Sequence, residues 1–167
     1  MQFHIRVRAG AVIIEDNQIL LTEYNDPIRG LVYDLPAGGA EPNESLSEAV
    51  VREAKEEACV DIEVGPLAFV YEYAPHLNKR KYGDTHTLVM MFECKRKEGS
   101  VPKLPATPDP HQTGVKWLPI AELHKIPLYA NIGNHIQEYI VNRRSIELLE
   151  EHKLGEGSVQ KVEITFE

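Results

Sequence analysis

Cysteine residues and long apolar runs are scarce in this sequence, and each scarcity excludes a class of protein. The 167 residues include two cysteines, Cys59 and Cys94. Two are too few for a disulfide framework, and their spacing fits no zinc motif. No apolar run approaches the roughly 20 residues of a membrane-spanning helix, and residues 1–6 lack the apolar core of a signal peptide. We therefore expect a protein of the reducing cytoplasm that does not bind a membrane.

Positive charge is also scarce. The chain has 18 lysine and arginine residues against 26 aspartate and glutamate residues, which gives a formal net charge of −8. Nucleic-acid binding requires basic patches that neutralise phosphates, so nucleic acid is not an expected partner. A small phosphate-bearing ligand would need a metal ion and a few local cations to approach such a protein. Length and a 43% hydrophobic content are ordinary for one globular domain, which we predict over residues 1–167.

The most informative stretch of the chain runs from residue 38 to residue 60. It begins as a loop rich in glycine, proline and asparagine and continues as an acidic segment with helical spacing. Ser45 and Glu48 have the spacing of a capping box, in which each side chain bonds the other residue's backbone N–H. This signal predicts a helix over about residues 45–58.

Three glutamates of this helix occupy an unusual face. At about 100° per residue, Glu53 and Glu57 lie within the apolar stripe of the helix and Glu56 lies on its flank. Carboxylates that face the protein body lose hydration and repel one another. Arg52 can reach Glu56 four residues later, and a hard divalent cation is the simplest partner for the other two. The alternative is that the second half of the helix extends past the core into water.

The same residues carry a family resemblance. The stretch resembles the box of the Nudix hydrolase superfamily (MutT-like), in which two glycines, four glutamates, one arginine and two aliphatic residues have fixed spacing. Two positions depart from that pattern, because Ala54 is a small version of an aliphatic position and Cys59 replaces a glycine. A cysteine can serve there if its backbone stays out of the left-handed region. The matching residues are Gly38, Glu44, Arg52, Glu53, Glu56, Glu57 and Val60.

The rest of the chain predicts an α/β fold. Apolar runs and turn signals predict strands on both sides of the box helix, with residues 85–94 as the central strand of the sheet. A layered α/β arrangement with a mixed sheet follows, and the resemblance implies a Nudix-type α/β/α sandwich. The other predicted strands cover residues 5–14, 19–24, 31–35, 60–64, 67–73 and 115–118, with a short helix through Leu123, a helical segment at 131–152 and a terminal strand at 159–166.

The resemblance also implies an activity. It implies a pyrophosphohydrolase that uses Mg²⁺ or Mn²⁺ to cleave a phosphoanhydride in a nucleoside diphosphate linked to a further group X. Such substrates include nucleoside triphosphates, ADP-ribose-like compounds and dinucleoside polyphosphates. By resemblance, Glu53, Glu56 and Glu57 bind the metal, the Ala37 carbonyl is a further candidate ligand, and Arg52 orients a glutamate. The resemblance leaves open which glutamate is the general base.

One more acid is a candidate metal ligand. Some family members take a ligand from the loop ahead of the tryptophan strand, and Asp109 is the nearest acid there. Its alternative is a solvated Pro-Asp-Pro turn. Glu44 is expected to anchor the loop to the start of the helix.

Six residues are candidates for substrate contact. Gly38 and Gly39 allow close approach of the backbone to a ligand, because glycine has no Cβ; the alternative is a plain tight turn. Arg6 and Arg8 alternate with the apolar side of their strand. Lys79 and Arg80 form a basic run with Lys81 in a polar loop over residues 74–84, where the alternative is a solvated charge run. A homodimer is expected by resemblance to the family.

Two other functions compete with hydrolysis. A non-catalytic, nucleotide-binding regulatory module on the same fold would have lost the carboxylates, yet Glu53, Glu56 and Glu57 are all present. An isoprenoid diphosphate isomerase would need a catalytic cysteine in a loop of the site. Cys59 and Cys94 are instead predicted at a helix exit and in a strand.

Overall fold

One mixed sheet forms the centre of the computed structural model, which describes residues 4–143 and 148–150. Its hydrogen-bonded order is β3-β2-β1-β6-β5-β8, with β4 paired to β1 and β7 paired to β2. The β1–β6 and β5–β8 pairs are parallel and the others antiparallel, so the mixed sheet is confirmed. The described strands are β1 (Arg6–Glu15), β2 (Gln18–Asp26), β3 (Gly30–Asp34), β4 (Ala37–Gly39), β5 (Ile62–Tyr73), β6 (Thr87–Arg96), β7 (Gln112–Pro119) and β8 (Leu148–Glu150).

Helices cover both faces of this sheet. Side chains alternate along β1, so Ala11 and Ile13 pack with helix α1 (Leu46–Ala58), whereas Val12 packs on the opposite side. That opposite side is covered by a 3-10 helix (Ile120–Lys125) and by α2 (Gly133–Asn142). The arrangement is the expected α/β/α sandwich. None of the described helices is long and apolar enough to cross a membrane.

Two strand predictions agree with the structure in part. β6 lies between β1 and β5, so the predicted central strand is confirmed. The two predicted strands at 60–64 and 67–73 are one strand, β5, whose register with β6 shifts between Val64 and Phe69. Gly65 and Pro66 therefore form an irregularity within a strand rather than a break. A Cβ on Gly65 would lie 2.6 Å from the Glu93 carbonyl oxygen, which explains why only glycine fits.

The predicted helical segment at 131–152 is wrong at residues 148–150, which form a strand. Helix α2 ends at Asn142, and Arg143 adopts a left-handed conformation with φ of 44°. Residues 148–150 then pair in parallel with Val70–Glu72 of β5. A short apolar run fits either a helix or a strand by pattern alone, and pairing satisfies the backbone groups at the β5 edge. The predicted strand at 159–166 lies outside the described residues.

Both ends of α1 have well-defined caps. Ser45 and Glu48 form the predicted capping box, with the Ser45 N–H donating to the Glu48 carboxylate at 2.7 Å. At the other end, Cys59 N–H donates to the Lys55 carbonyl, which is the bond of an αL cap, and Val60 N–H donates to the Ala54 carbonyl. Cys59 adopts φ of 57° and ψ of 25°. The expectation that this cysteine avoids the left-handed region is therefore wrong.

We expect Cys59→Gly to stabilise the protein. A side chain in the left-handed region costs about 1–2 kcal/mol, and the extra freedom of glycine in the unfolded chain offsets part of that gain. The net gain of about 0.5–1 kcal/mol should raise the melting temperature by about 2 °C. Thermal unfolding followed by circular dichroism measures it. Cys59→Ala is the matched control, because alanine removes the thiol and keeps the strain; an equal gain in that variant would contradict the backbone explanation.

Candidate active site

Helix α1 places two glutamates against the protein body. Glu53 is 8% exposed and Glu57 is 6% exposed, on the stripe that also buries Ala49, Val50 and Ala54. The alternative of a solvated helix end is thus excluded for these two residues. Glu56 differs, because its side chain is 60% exposed at the flank of the stripe.

Arg52 joins the loop and the helix at this site. Its guanidinium donates to both oxygens of Glu44, at 2.7 and 3.1 Å, and to the Gly39 carbonyl at 2.9 Å. A third nitrogen donates to Glu53 at 2.7 Å and to Glu56 at 3.0 Å. These bonds lower the pKa of Glu44 and raise the pKa of Arg52. Arg52 therefore stays charged, orients two glutamates and confirms Glu44 as the loop anchor.

Glu57 has a different environment. One of its carboxylate oxygens accepts a 3.0 Å bond from the Ala37 N–H, and no lysine or arginine among the described residues forms an ion pair with it. Burial, together with the nearby charges of Asp34, Glu53 and Asp109, raises the pKa of Glu57 to about 9. The site therefore contains a buried carboxyl group whose negative charge lacks a compensating cation.

Gly38 and Gly39 lie in strand β4, so the tight-turn alternative is wrong. β4 pairs with β1 in antiparallel register, with Ala9 opposite Gly38. A Cβ on Gly38 would overlap the Glu53 carboxylate, and a Cβ on Gly39 would lie 2.6 Å from a guanidinium nitrogen of Arg6. In this structure, the space over each glycine is thus filled by a charged side chain of the site.

Gly38→Ala should displace Glu53. The added methyl group overlaps the carboxylate, so we expect the free energy of unfolding to fall by about 1–3 kcal/mol. Urea denaturation measures the loss. Glu53→Ala supplies the control, because the same Gly38 substitution should cost much less when the carboxylate is absent. Additive effects of the two substitutions would show that the overlap is relieved elsewhere.

A cleft of about 610 Å³ brings several predicted residues together. Its lining includes Glu57, Ala37, Asp109, Arg6 and Arg8. Lys79 and Arg80 do not line it, whereas their neighbour Lys81 does. Arg80 pairs with Asp84 instead.

Arg8 is held at the wall of this cleft. Its guanidinium donates to the Ala37 carbonyl at 2.5 Å, and its Nε is buried without a hydrogen-bond partner among the described residues. A buried donor without an acceptor is costly, and an anionic ligand in the cleft would supply one. The Ala37 carbonyl, a predicted metal ligand, is bonded to this arginine in the structure.

Gln112 positions the loop that carries Asp109. Its side-chain amide donates to the Glu57 carbonyl at 2.7 Å, and its N–H donates to the Asp109 carbonyl at 2.9 Å. Gln112 is only 6% exposed, so this bridge between the loop and α1 is buried. Asp109 is exposed, yet it lines the cleft beside Glu57. Its prediction as a metal ligand remains a prediction.

The sequence interpretation missed two acids that line the cleft, Asp26 and Asp34. Asp34 ends β3 and lines the same cleft, and burial raises the pKa of its carboxyl group. Its position directly before Leu35 and Pro36, at the entry to the box, could have indicated it.

The chemistry of these donors fits a divalent cation. Among residues 4–143 and 148–150, no three histidine, cysteine, aspartate or glutamate side chains converge closely enough to hold one. Glu53 and Glu56 bond Arg52 instead, and Glu57 bonds the Ala37 N–H. Carboxylate oxygens are nevertheless the donors that Mg²⁺ and Mn²⁺ prefer, and the raised pKa of Glu57 reflects a negative charge that a cation would compensate.

The sandwich and its glutamate-bearing helix define a known class of protein. The family model of the NUDIX domain matches residues 4–139. The chain belongs to this family, as the box residues indicate.

Comparison with individual proteins agrees with this family assignment. An ADP-ribose pyrophosphatase of Methanocaldococcus jannaschii is 40% identical over 72 residues, which cover 42% of this chain and 42% of that protein. A NUDIX hydrolase from Nitrosomonas europaea has a similar structure, with a TM-score of 0.66 and 23% identity over 90% of this chain and 81% of that chain. An ADP-ribose pyrophosphatase from Streptococcus suis has a TM-score of 0.62 and 22% identity over 88% and 99% of the two chains. The two structures show the shared fold.

Proposed function

We propose that this protein is a metal-dependent pyrophosphohydrolase. Water would cleave a phosphoanhydride in a nucleoside diphosphate linked to X, and the products would be a nucleoside monophosphate and a phosphorylated X. The observation that carries the proposal is the buried, uncompensated carboxyl group of Glu57 in a cleft that Arg6 and Arg8 also line. Acids there suit a metal, and the arginines suit phosphates.

The candidate residues would bind the metal and orient its ligands. Glu53, Glu56 and Glu57 would hold Mg²⁺ or Mn²⁺, with the Ala37 carbonyl and Asp109 as further ligands. When bound, the metal would stabilise negative charge on the phosphoryl oxygens and activate water. Arg52 keeps its glutamates oriented through the bonds described above.

Arg6 and Arg8 would bind the substrate phosphates. Arg8 offers its buried Nε, and Arg6 lies over Gly39 at the same cleft. One of the box glutamates would accept the proton of the attacking water. Contacts from Gly38, Gly39, Lys79 and Arg80 to substrate stay predictions, and Lys81 joins them because it lines the cleft.

ADP-ribose is the first substrate to test. The curated relative that is 40% identical over 72 residues is an ADP-ribose pyrophosphatase, and the aligned part of the chain covers less than half of that protein. A solved Ap4A hydrolase from C. elegans shares the fold at a TM-score of 0.61, which makes dinucleoside polyphosphates the second substrate class.

The test is a hydrolysis assay on ADP-ribose, ATP and diadenosine tetraphosphate. Products are separated by ion-exchange chromatography in Mg²⁺, in Mn²⁺ and in EDTA. We expect AMP and ribose 5-phosphate from ADP-ribose, and no turnover in EDTA. Absence of metal-dependent turnover on all three compounds, with nucleotide binding retained, would instead favour the regulatory module.

The isomerase alternative lacks its nucleophile. Cys94 is 4% exposed, and burial raises the pKa of its thiol to about 12. Cys59 caps α1 and does not line the cleft. Neither thiol is available as a reactive group in the site.

Cytoplasmic location, homodimeric assembly and one domain over residues 1–167 are further parts of this proposal. Light scattering of the purified protein tests the assembly.

A further inference from the structure

One part of the cleft lining, called the aromatic end, consists of an arginine and two tyrosines. Three separate turns and loops meet there, and they contribute Arg29, Tyr82 and Tyr129 to the cleft lining. The Arg29 Cζ lies 4.4 Å from the ring centroid of Tyr82 and 5.0 Å from that of Tyr129. Lys81 approaches the Tyr82 ring at 5.2 Å. The guanidinium is thus within cation–π distance of two tyrosine rings.

Hydrogen bonds hold the two tyrosines in place. The Tyr82 hydroxyl donates to the Tyr129 carbonyl at 2.5 Å, and the Tyr129 hydroxyl donates to the Asp26 carboxylate at 2.8 Å. The Tyr73 hydroxyl accepts a 3.0 Å bond from the Tyr82 N–H. Both hydroxyls of the pair are therefore bonded within the protein, which fixes the two rings beneath the Arg29 guanidinium.

The groups at the mouth of this end are exposed. Ile28 is 94% exposed and lines the cleft beside Arg29, which is also exposed. Among the described residues, the Arg29 guanidinium forms no ion pair, whereas its backbone N–H is fixed by a 2.8 Å bond to Asp26. An exposed apolar side chain and a planar cation that rests on two tyrosine rings are together suited to a flat aromatic ligand.

We propose that Arg29, Tyr82 and Tyr129 bind the aromatic base of the nucleotide. This inference rests on the proposed function, and it assigns the base and the phosphates to different residues of the same cleft. The Arg29 guanidinium lies over both tyrosine rings, so the base stacks on the exposed face of the guanidinium and the rings support it from the other side. Arg6 and Arg8 are the candidate phosphate contacts.

The test measures the binding of 1,N6-etheno-ADP through its fluorescence, in EDTA, so that no hydrolysis interferes. Inorganic pyrophosphate lacks a base and is therefore the matched control ligand. Its binding is measured by its displacement of etheno-ADP. Tyr82→Leu and Arg29→Lys should each weaken etheno-ADP binding about tenfold or more, since one stacked base contributes roughly 1–3 kcal/mol. Tyr82→Phe keeps the ring and should bind within about threefold of the wild type. The inhibition constant of pyrophosphate should not change in any variant.

Other outcomes would overturn the assignment. If Tyr82→Phe loses affinity as strongly as Tyr82→Leu, the hydroxyl bond to Tyr129 matters and stacking does not. If Arg29→Lys retains affinity, or if pyrophosphate weakens in parallel, Arg29 binds a phosphate. Lys125→Arg, an exchange between the same two cationic residues outside the cleft lining, is the control and should leave both probes unaffected. A protein that hydrolyses none of the substrates yet shows the Tyr82 pattern would refute the proposed hydrolysis and keep the base site.

Discussion

Replacing Glu57 by glutamine is expected to abolish hydrolysis and, at the same time, to stabilise the metal-free protein. The loss of activity should exceed about a hundredfold, because glutamine removes the charge of a proposed metal ligand. The gain in stability follows from the raised pKa of the buried carboxyl group, about 9. Glutamine is neutral and its side-chain oxygen can still accept the bond from the Ala37 N–H.

The pH dependence of the free energy of unfolding gives the direction of the expected stability change in Glu57→Gln. Between about pH 4.5 and 9, Glu57 retains its proton in the folded protein while the unfolded chain loses it. The unfolded state then binds fewer protons, so the free energy of unfolding of the wild type falls as pH rises through this range. Glu57→Gln removes this contribution. In EDTA, the variant should therefore melt higher than the wild type at pH 8 and at the same temperature near pH 4.5.

The melting temperatures are measured by thermal unfolding across that pH range, in EDTA and in Mg²⁺. Mg²⁺ should raise the melting temperature of the wild type at pH 8 far more than that of Glu57→Gln. Glu56→Gln is the matched control, because the Glu56 side chain is 60% exposed and its substitution should leave the metal-free melting curve unchanged. A wild type as stable in EDTA at pH 8 as at pH 5 would show that the charge of Glu57 is compensated within the protein.

Arg52→Met is expected to damage both stability and activity. The substitution leaves Glu44 and Glu53 without their cation in a largely buried place, where their side chains are 15% and 10% exposed. Breaking such a cluster should lower the free energy of unfolding by about 2–3 kcal/mol. Activity should fall by about 10- to 100-fold, because Glu53 and Glu56 lose the group that orients them.

Lys55→Met is the control on the same helix. Lys55 pairs with Asp61, but the two side chains are 55% and 54% exposed, so the loss should stay within about 0.5 kcal/mol. Urea denaturation and the hydrolysis assay compare the two variants. Equal destabilisation by both would mean that Arg52 contributes only as a surface charge.

The parts of the fold that the sequence predicted correctly depend on local signals. Ser45 and Glu48 identify the start of α1 because both partners of the capping box lie within one turn. The burial of Glu53 and Glu57 follows from helical spacing relative to their apolar neighbours. Neither inference required knowledge of the rest of the structure.

The parts that could not be predicted depend on distant partners. Residues 148–150 form a strand because β5 offers a free edge, and nothing in their own pattern specifies that edge. Lys81 rather than Lys79 reaches the cleft because of the path of its loop. The aromatic end joins Arg29, Tyr82 and Tyr129 across long stretches of sequence, so no local motif could have indicated it.

Because Gln112 holds Asp109 in place, the position of this acid does not depend on the length of the loop that precedes it. Lys103 N–H bonds the Ala58 carbonyl, and Gln112 bonds the Glu57 carbonyl and the backbone of Asp109. Both anchors attach to the last turn of α1. Residues 104–108 can therefore be lengthened, shortened or exchanged in the course of evolution while Asp109 keeps its place, so this segment is free to diversify next to a fixed reaction centre.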